Sequence, residues 1–322
     1  MTSENRKKYR DLCDQESGFT LFQQAWWLDA VAEDNWDVLF VENAGEILGA
    51  NAFLRDSKLH YTLSQMPRLT QHIGPWISPK VEPDGFRNDI LRSIAKEVRS
   101  IDWWSQNWST AETNWLPFYW EGFRQTTRYT HRINDVSDLK QLWSQMSGSK
   151  RKAIQKARSE KFGLSFDVNP QVDEFLELAW GTFTRQGMVP PYSRDFVRRI
   201  VNAASERNRL RILIARDKNG EAHAGAFFVW DGETMYYLIG GSNPMHRASQ
   251  AGSLCIWEGI RLASELGLSF DFEGSMIEPI EKYFRGFGTQ RVPYFAISRV
   301  GPLTLSLIAW LRQRRQDANR MI

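Results

Sequence analysis

Apolar positions fall at helical and then at strand spacing in the same order in both halves of the chain. In the first half, Phe22, Trp26, Ala30 and Val31 predict a helix over Phe22 to Glu33. Trp36 to Val41 and Ile47 to Leu54 predict a hairpin around Asn43-Ala44-Gly45, with Leu59 to Leu63 as a third strand. Four breakers, Pro67, Gly74, Pro75 and Pro79, make Pro67 to Pro79 a constrained loop. Helical spacing returns over Phe86 to Val98, and Ile101 to Trp108 and Arg124 to Ile133 read as strands.

Two helical pieces follow, Val136 to Met146 and Lys150 to Lys161, parted by Ser147-Gly148-Ser149. Beyond them Phe175, Leu178, Ala179, Thr182 and Phe183 predict another helix. Leu210 to Ala215, Ala222 to Trp230 and Thr234 to Ile239 are three strands joined at Lys218-Asn219-Gly220 and Asp231-Gly232. Ala251 to Leu266 is apolar on most sides, with Glu258, Arg261 and Glu265 as its polar strip, so it packs along most of its circumference. Leu268 to Phe272 is a strand, Pro279 to Phe284 a short helix, Val292 to Val300 the last strand and Leu303 to Arg315 a closing helix.

The order repeats, and so do some of the residues. Tyr119-Trp120-Glu121-Gly122-Phe123 matches Tyr283-Phe284-Arg285-Gly286-Phe287, and Gly45-Glu46-Ile47-Leu48-Gly49-Ala50 echoes Gly220 to Ala226. Duplication of one α/β unit accounts for both, and duplicated units place a ligand in the cleft between them.

Composition narrows the picture. A chain of 322 residues, 42% apolar, is enough for two cores. A net charge of +3 provides no overall field toward nucleic acid. Cys13 and Cys255 have neither metal nor redox spacing, and reduced thiols in a cytoplasmic protein are expected. Residues Met1 to Arg10 carry no signal-peptide core, and no apolar run is long enough to span a bilayer. The 14 tryptophans point first to large aromatic cores, and second to an aromatic groove.

Three segments carry candidate chemistry. Gly240-Gly241-Ser242 and Arg247 to Ser253 join a strand to a buried helix, a geometry that leaves backbone N–H groups free for a phosphate. There Gly252 permits close approach, Ser249 or Ser253 can cap, and Arg247 supplies charge. Asp271 and Glu273, on one face by strand alternation, form a carboxylate pair suited to a general base. The basic run Lys150-Arg151-Lys152, Lys156, Arg158 and Lys161 is either a solvated face or a site for an anionic substrate. The five histidines show no metal spacing, and no hydrolase, Walker or dinucleotide fingerprint occurs.

The order of elements, with Leu116 to Phe123, Ser149 to Ala157, Phe270 to Ser275 and Tyr283 to Gly288, resembles the GNAT acyltransferases, and among them the FemAB-like tandem proteins. The resemblance implies a mixed α/β (α+β) fold of two tandem GNAT-like units, each a mostly antiparallel sheet flanked by helices: an N-terminal unit at 1–135 on the substrate side, and a C-terminal unit at 136–322 for donor binding and catalysis. It implies acyl transfer, acetyl in the first instance, from acetyl-CoA or another acyl-CoA to an amine, with no metal. The acceptor would be a small molecule or a cell-wall precursor. On this reading Glu273 or Asp271 is the base and Tyr283 the proton donor. Gly240, Gly241, Arg247, Ser249, Gln250, Ala251, Gly252 and Ser253 hold the donor. Arg151 and Lys152, with His72 and Trp76 in the Pro67 to Pro79 wall, contact the acceptor. Gln250 stands where the family pattern has glycine. An aminoacyl-tRNA-dependent transferase is the second reading, with tRNA the less favoured partner, and an inactive binding pair the third. The apolar face Leu303, Leu307, Ile308, Trp310 and Leu311, with Arg312, Arg314 and Arg315, either packs on the second unit or gives weak membrane contact.

Overall fold

The computed structural model describes residues 2–82, 84–185, 189–302 and 305. Two compact units emerge, Met1–Arg128 with Pro293–Ile322 and Tyr129–Val292, and the chain passes between them inside a strand both times.

The first unit begins with α1 (Thr2–Gln15), a 3-10 turn (Leu21–Gln23) and α2 (Ala25–Ala32). These precede the hairpin of β1 (Trp36–Asn43) and β2 (Glu46–Leu54). After it come β3 (Asp56–Lys58), β4 (Tyr61–Ser64), β5 (Trp76–Ile77), α3 (Asp84–Val98), β6 (Trp103–Asn107), α4 (Leu116–Trp120) and β7 (Arg124–Ile133). The single helix expected over Phe22 to Glu33 is broken at Gln24, whose backbone is extended (ψ 136°). α1 was not expected, because it buries little more than Tyr9 and Leu12 among charged residues. One face of α3, formed by Ile90, Leu91, Ile94, Ala95 and Val98, packs into a core with Trp104, Trp108, Phe118 and Phe123. Trp108 and Phe118 meet edge to face at 4.8 Å.

The second unit comprises α5 (Leu139–Gln145), α6 (Gly148–Ala157), β8 (Ser165–Val168), α7 (Val172–Arg185), α8 (Arg194–Ser205), β9 (Leu210–Arg216) and β10 (Ala222–Trp230). It continues through β11 (Thr234–Ser242), α9 (Ala251–Leu266), β12 (Ser269–Asp271), α10 (Glu278–Arg285) and the start of β13 (Gln290–Val300). Its strands lie in the order β7, β12, β11, β10, β9, β8. α9 begins and ends where its apolar pattern predicts, and nine of its side chains or glycines are buried. It lies close on β10: a Cβ at Gly259 would stand 2.4 Å from the Phe228 ring. Side chains such as Leu254, Ile256, Trp257 and Ile260 each gain about 1.5–3 kcal/mol from that burial.

The glycine echo has a structural counterpart. Gly45 (φ +85°) and Gly220 (φ +84°) turn the two hairpins, each in the left-handed region that penalises other residues. Apart from Leu305, the expected C-terminal helix, with its apolar face and arginines, lies outside the described residues. Among the described residues no helix is long and apolar enough to cross a membrane.

Candidate active site

β11 and β12 run parallel only from Thr234↔Ser269 to Tyr236↔Asp271. There β12 stops, while β11 continues to Ser242 along β10. The β10–β11 register steps from Phe228↔Tyr237 to Phe227↔Ile239, so Leu238 is an extra residue. Such a bulge bends its strand. It sits where β11 parts from β12, and the parting leaves a wedge in the sheet with a backbone edge that no strand among the described residues pairs.

The two candidate carboxylates stand at the tip of that wedge in different states. Asp271 is 2% exposed; its Oδ1 accepts from Thr130 Oγ1 (2.5 Å) and from the Glu273 N–H (2.7 Å), and Arg132 Nε lies 3.6 Å from Oδ2. It holds a turn. Glu273 does not share a strand face with it: its backbone is left-handed (φ +56°), so the alternation expected from Asp271 fails at this residue. Gly274 follows at φ +44°, and a Cβ there would meet the Tyr129 carbonyl at 2.3 Å. The turn is thereby forced, and Glu273 Oε1 is left buried with no hydrogen-bond partner. Burial, then the charge of Asp271, pushes the Glu273 carboxyl well above the usual range. Tyr192, just before α8, is near enough to feel it: burial first, and Glu273 second, push its hydroxyl up to about 12.

The strand-to-helix loop is a six-residue 3-10 segment, Pro244–Ser249, ending at Gln250. Gln250 adopts φ +62°, the left-handed region in which glycine carries no penalty. Ser249 Oγ accepts the Ala251 N–H at 3.3 Å and donates to the His246 carbonyl. The Ser253 N–H reaches the Gln250 carbonyl. A Cβ at Gly252 would meet only the Tyr283 hydroxyl, at 3.8 Å, so the first turn of α9 presents open backbone. Arg247 is exposed. Gly240 and Gly241 have a packing reason to be glycine: a Cβ would stand 1.7 Å from the Tyr237 hydroxyl in one case and 2.5 Å from the Ala179 nitrogen of α7 in the other.

Tyr283 joins this loop. Its hydroxyl lies 3.2 Å from Ser253 Oγ, and burial pushes it up to about 12 although the residue is 37% exposed overall. On the ring face sits Lys150 Nζ, 3.4 Å from the centroid. Lys150 heads the basic run, from which only Arg151 and Lys152 are expected to contact the acceptor. Arg151 Nη1 instead donates to the carbonyls of Trp143 and Ser144, closing the end of α5, and Lys152 is exposed. Helical spacing could have found Lys150, which shares the buried stripe of Ile154 and Ala157.

In the first unit, His72 is buried between Thr20 Oγ1 (3.1 Å) and Gln71 Oε1 (3.3 Å). Trp76 stacks on Phe19 at 4.8 Å and donates to the Ser17 carbonyl. Among the described residues no group of His, Cys, Asp and Glu could hold a metal ion.

Residues 144–285 match a family model described as an acetyltransferase (GNAT) domain, a span that includes Lys150, Arg247 to Ser253, Asp271, Glu273 and Tyr283. The structure is similar to that of FemX, at 14% identity and a TM-score of 0.68 over 90% of this chain and 95% of that one. It is also similar to a tandem GNAT protein from the clavulanic acid biosynthesis pathway (10%, 0.55, 93% and 96%). A third likeness is to the C-terminal domain of a putative lysylphosphatidylglycerol synthetase from Agrobacterium fabrum (13%, 0.57, 96% and 95%). No curated protein sequence matches the chain. The fold is GNAT-like, a mixed α/β architecture of sheet and flanking helices similar to that of FemX and of the tandem GNAT protein.

Proposed function

We propose that the chain is an N-acyltransferase that moves an acyl group, acetyl in the first instance, from acyl-CoA to an amine acceptor, a small molecule or a cell-wall precursor. The observation that carries this reading is the unpartnered Glu273 carboxylate at the tip of the β11–β12 wedge. The division of labour follows the repeat, with 136–322 binding donor and catalysing, and 1–135 serving the acceptor side.

The donor supplies an activated thioester carbonyl. Open backbone at Gly252 fits its phosphates at the positive end of α9, with Arg247 adding charge. Glu273 takes the proton from the acceptor ammonium, a transfer that its raised pKa favours. The freed amine attacks the carbonyl, and backbone N–H groups on the unpaired edge of β11 hold the negative charge that develops on oxygen. Tyr283 returns a proton to the departing sulfur.

Calorimetry with CoA and acetyl-CoA tests the donor assignment. Arg247→Ala is expected to weaken binding by about 1.5–3 kcal/mol, the worth of a charge-assisted contact. Absence of binding at millimolar CoA moves the assignment to an aminoacyl-tRNA donor or to the inactive binding pair, the latter being the reading to which Gln250 in the glycine position lends support.

A further inference from the structure

One side chain at this site has no part in the reaction above. Lys150 is 8% exposed, and its Nζ lies 3.4 Å from the Tyr283 ring centroid and 4.5 Å from that of Phe287. Ser253 Oγ, at 3.3 Å, accepts one of its hydrogens. Among the described residues no carboxylate pairs with it, whereas Arg158 on the same helix has Glu258 at 2.8 Å. Two ring faces and a hydroxyl are weak compensation for a desolvated ammonium. Ser253 also touches the Tyr283 hydroxyl, so amine, serine and phenol form one short chain at the start of α9.

We propose that Lys150 is itself an acylation site: its Nζ takes the acyl group of a thioester held at the start of α9 and keeps it as an amide. The inference rests on the donor reading above. The ammonium first loses a proton to water. The nitrogen lone pair then forms the N–C bond, the C–S bond breaks with its electron pair going to sulfur, and sulfur receives the second proton lost by nitrogen, through Ser253 and Tyr283. The products are an uncharged amide and a free thiol. Burial pulls the Lys150 amine down to about 8, so at pH 7.5 roughly a quarter of the molecules hold it neutral, against about one in a thousand for an exposed lysine.

The test incubates the full chain with acetyl-CoA, and separately with S-acetyl-N-acetylcysteamine, a thioester without a nucleotide. Peptide mapping by mass spectrometry follows labelling over time and pH. One acetyl group is expected on Lys150, arriving at least about ten-fold faster than on any exposed lysine. The rate should rise with a midpoint near pH 8, and Lys150→Arg should remove the adduct. Labelling by the small thioester alone supports the reactive lysine while removing CoA as donor. If calorimetry shows acetyl-CoA bound and Lys150 is labelled no faster than exposed lysines, the inference falls and the donor reading stands. If neither thioester labels Lys150 and CoA does not bind, both fall.

Discussion

Tyr119 and Tyr283 hold matching places in two similar sequence stretches, each near the end of a short helix and four residues before a buried phenylalanine, Phe123 or Phe287. Tyr119 is 59% exposed and packs edge-on against Trp115. Tyr283 is bonded to Ser253 and carries Lys150 on its ring. Two carboxylates that are not counterparts, since Glu121 aligns with Arg285, also differ in their company. Glu121 is met by Arg92 (2.9 Å) and Arg99 (3.4 Å), and the Arg92 hydrogen bond foremost holds it below the usual range. Glu273 is left unpartnered and pushed up. A shared local scaffold therefore sets no chemistry by itself. What distinguishes the second copy is the company brought by α6, α9 and the turn after β12.

The contrast predicts where substitutions will be felt. Glu273→Gln is expected to lower turnover by ~10²–10⁴ while leaving the fold intact, as loss of a general base does. The acid limb of the wild-type rate profile should lie well above the ordinary glutamate value of 4.5; a limb at that value removes Glu273 as the base. In the first unit the largest effect falls on stability. Trp108→Ala should cost about 3–5 kcal/mol in denaturant unfolding, since it empties a fully buried ring site.

Lys150→Met should stabilise the protein at pH 7 by about 1–3 kcal/mol, because a desolvated ammonium is replaced by an apolar chain of similar length. The sign follows from linkage. The folded amine titrates near 8 and the unfolded one near 10.5, so the unfolded state binds more protons between them. The advantage of methionine is full below pH 8 and fades as pH rises to 10.5. Melting curves across that range check it, and a gain independent of pH means that the charge is not the cause.

The smallest effect is a pair of opposite slopes. Wild type should lose its stability advantage over Glu121→Gln as pH falls through the depressed Glu121 titration below 4.5. Against Glu273→Gln the wild type should instead lose ground as pH rises above 4.5, because its carboxyl resists ionisation when folded. Parallel slopes would erase the distinction between the two carboxylates.

Much of the architecture was legible because long amphipathic stretches carry their own period. α9 matches its pattern at both ends, and β7 does so as well. α8 was missed because Arg194, Asp195, Arg198 and Arg199 interrupt an apolar stripe of Phe196, Val197, Ile200 and Ala204. Of the candidate site, Tyr283 came from the resemblance, and Asp271, Glu273 and Ser253 could be located from sequence, since strand ends and helix starts can be found. Their states could not. The positive φ of Glu273 depends on backbone that Gly274 must clear, and the inward turn of Lys150 depends on the face of α6 that meets α9.

The two places where the chain changes units bear on synthesis. Tyr129–Val292 is one uninterrupted stretch, whereas β6 of the first unit pairs with Ala296–Val300. On the ribosome, β6 therefore waits for a strand made long after it. At about 5–20 residues per second, the 164 residues of Tyr129–Val292 take roughly 10–30 s. Throughout that interval Trp103 to Asn107 presents an unpaired strand edge, open to association with other nascent chains. The later unit can close before the earlier one is finished, so the order of folding runs against the order of translation.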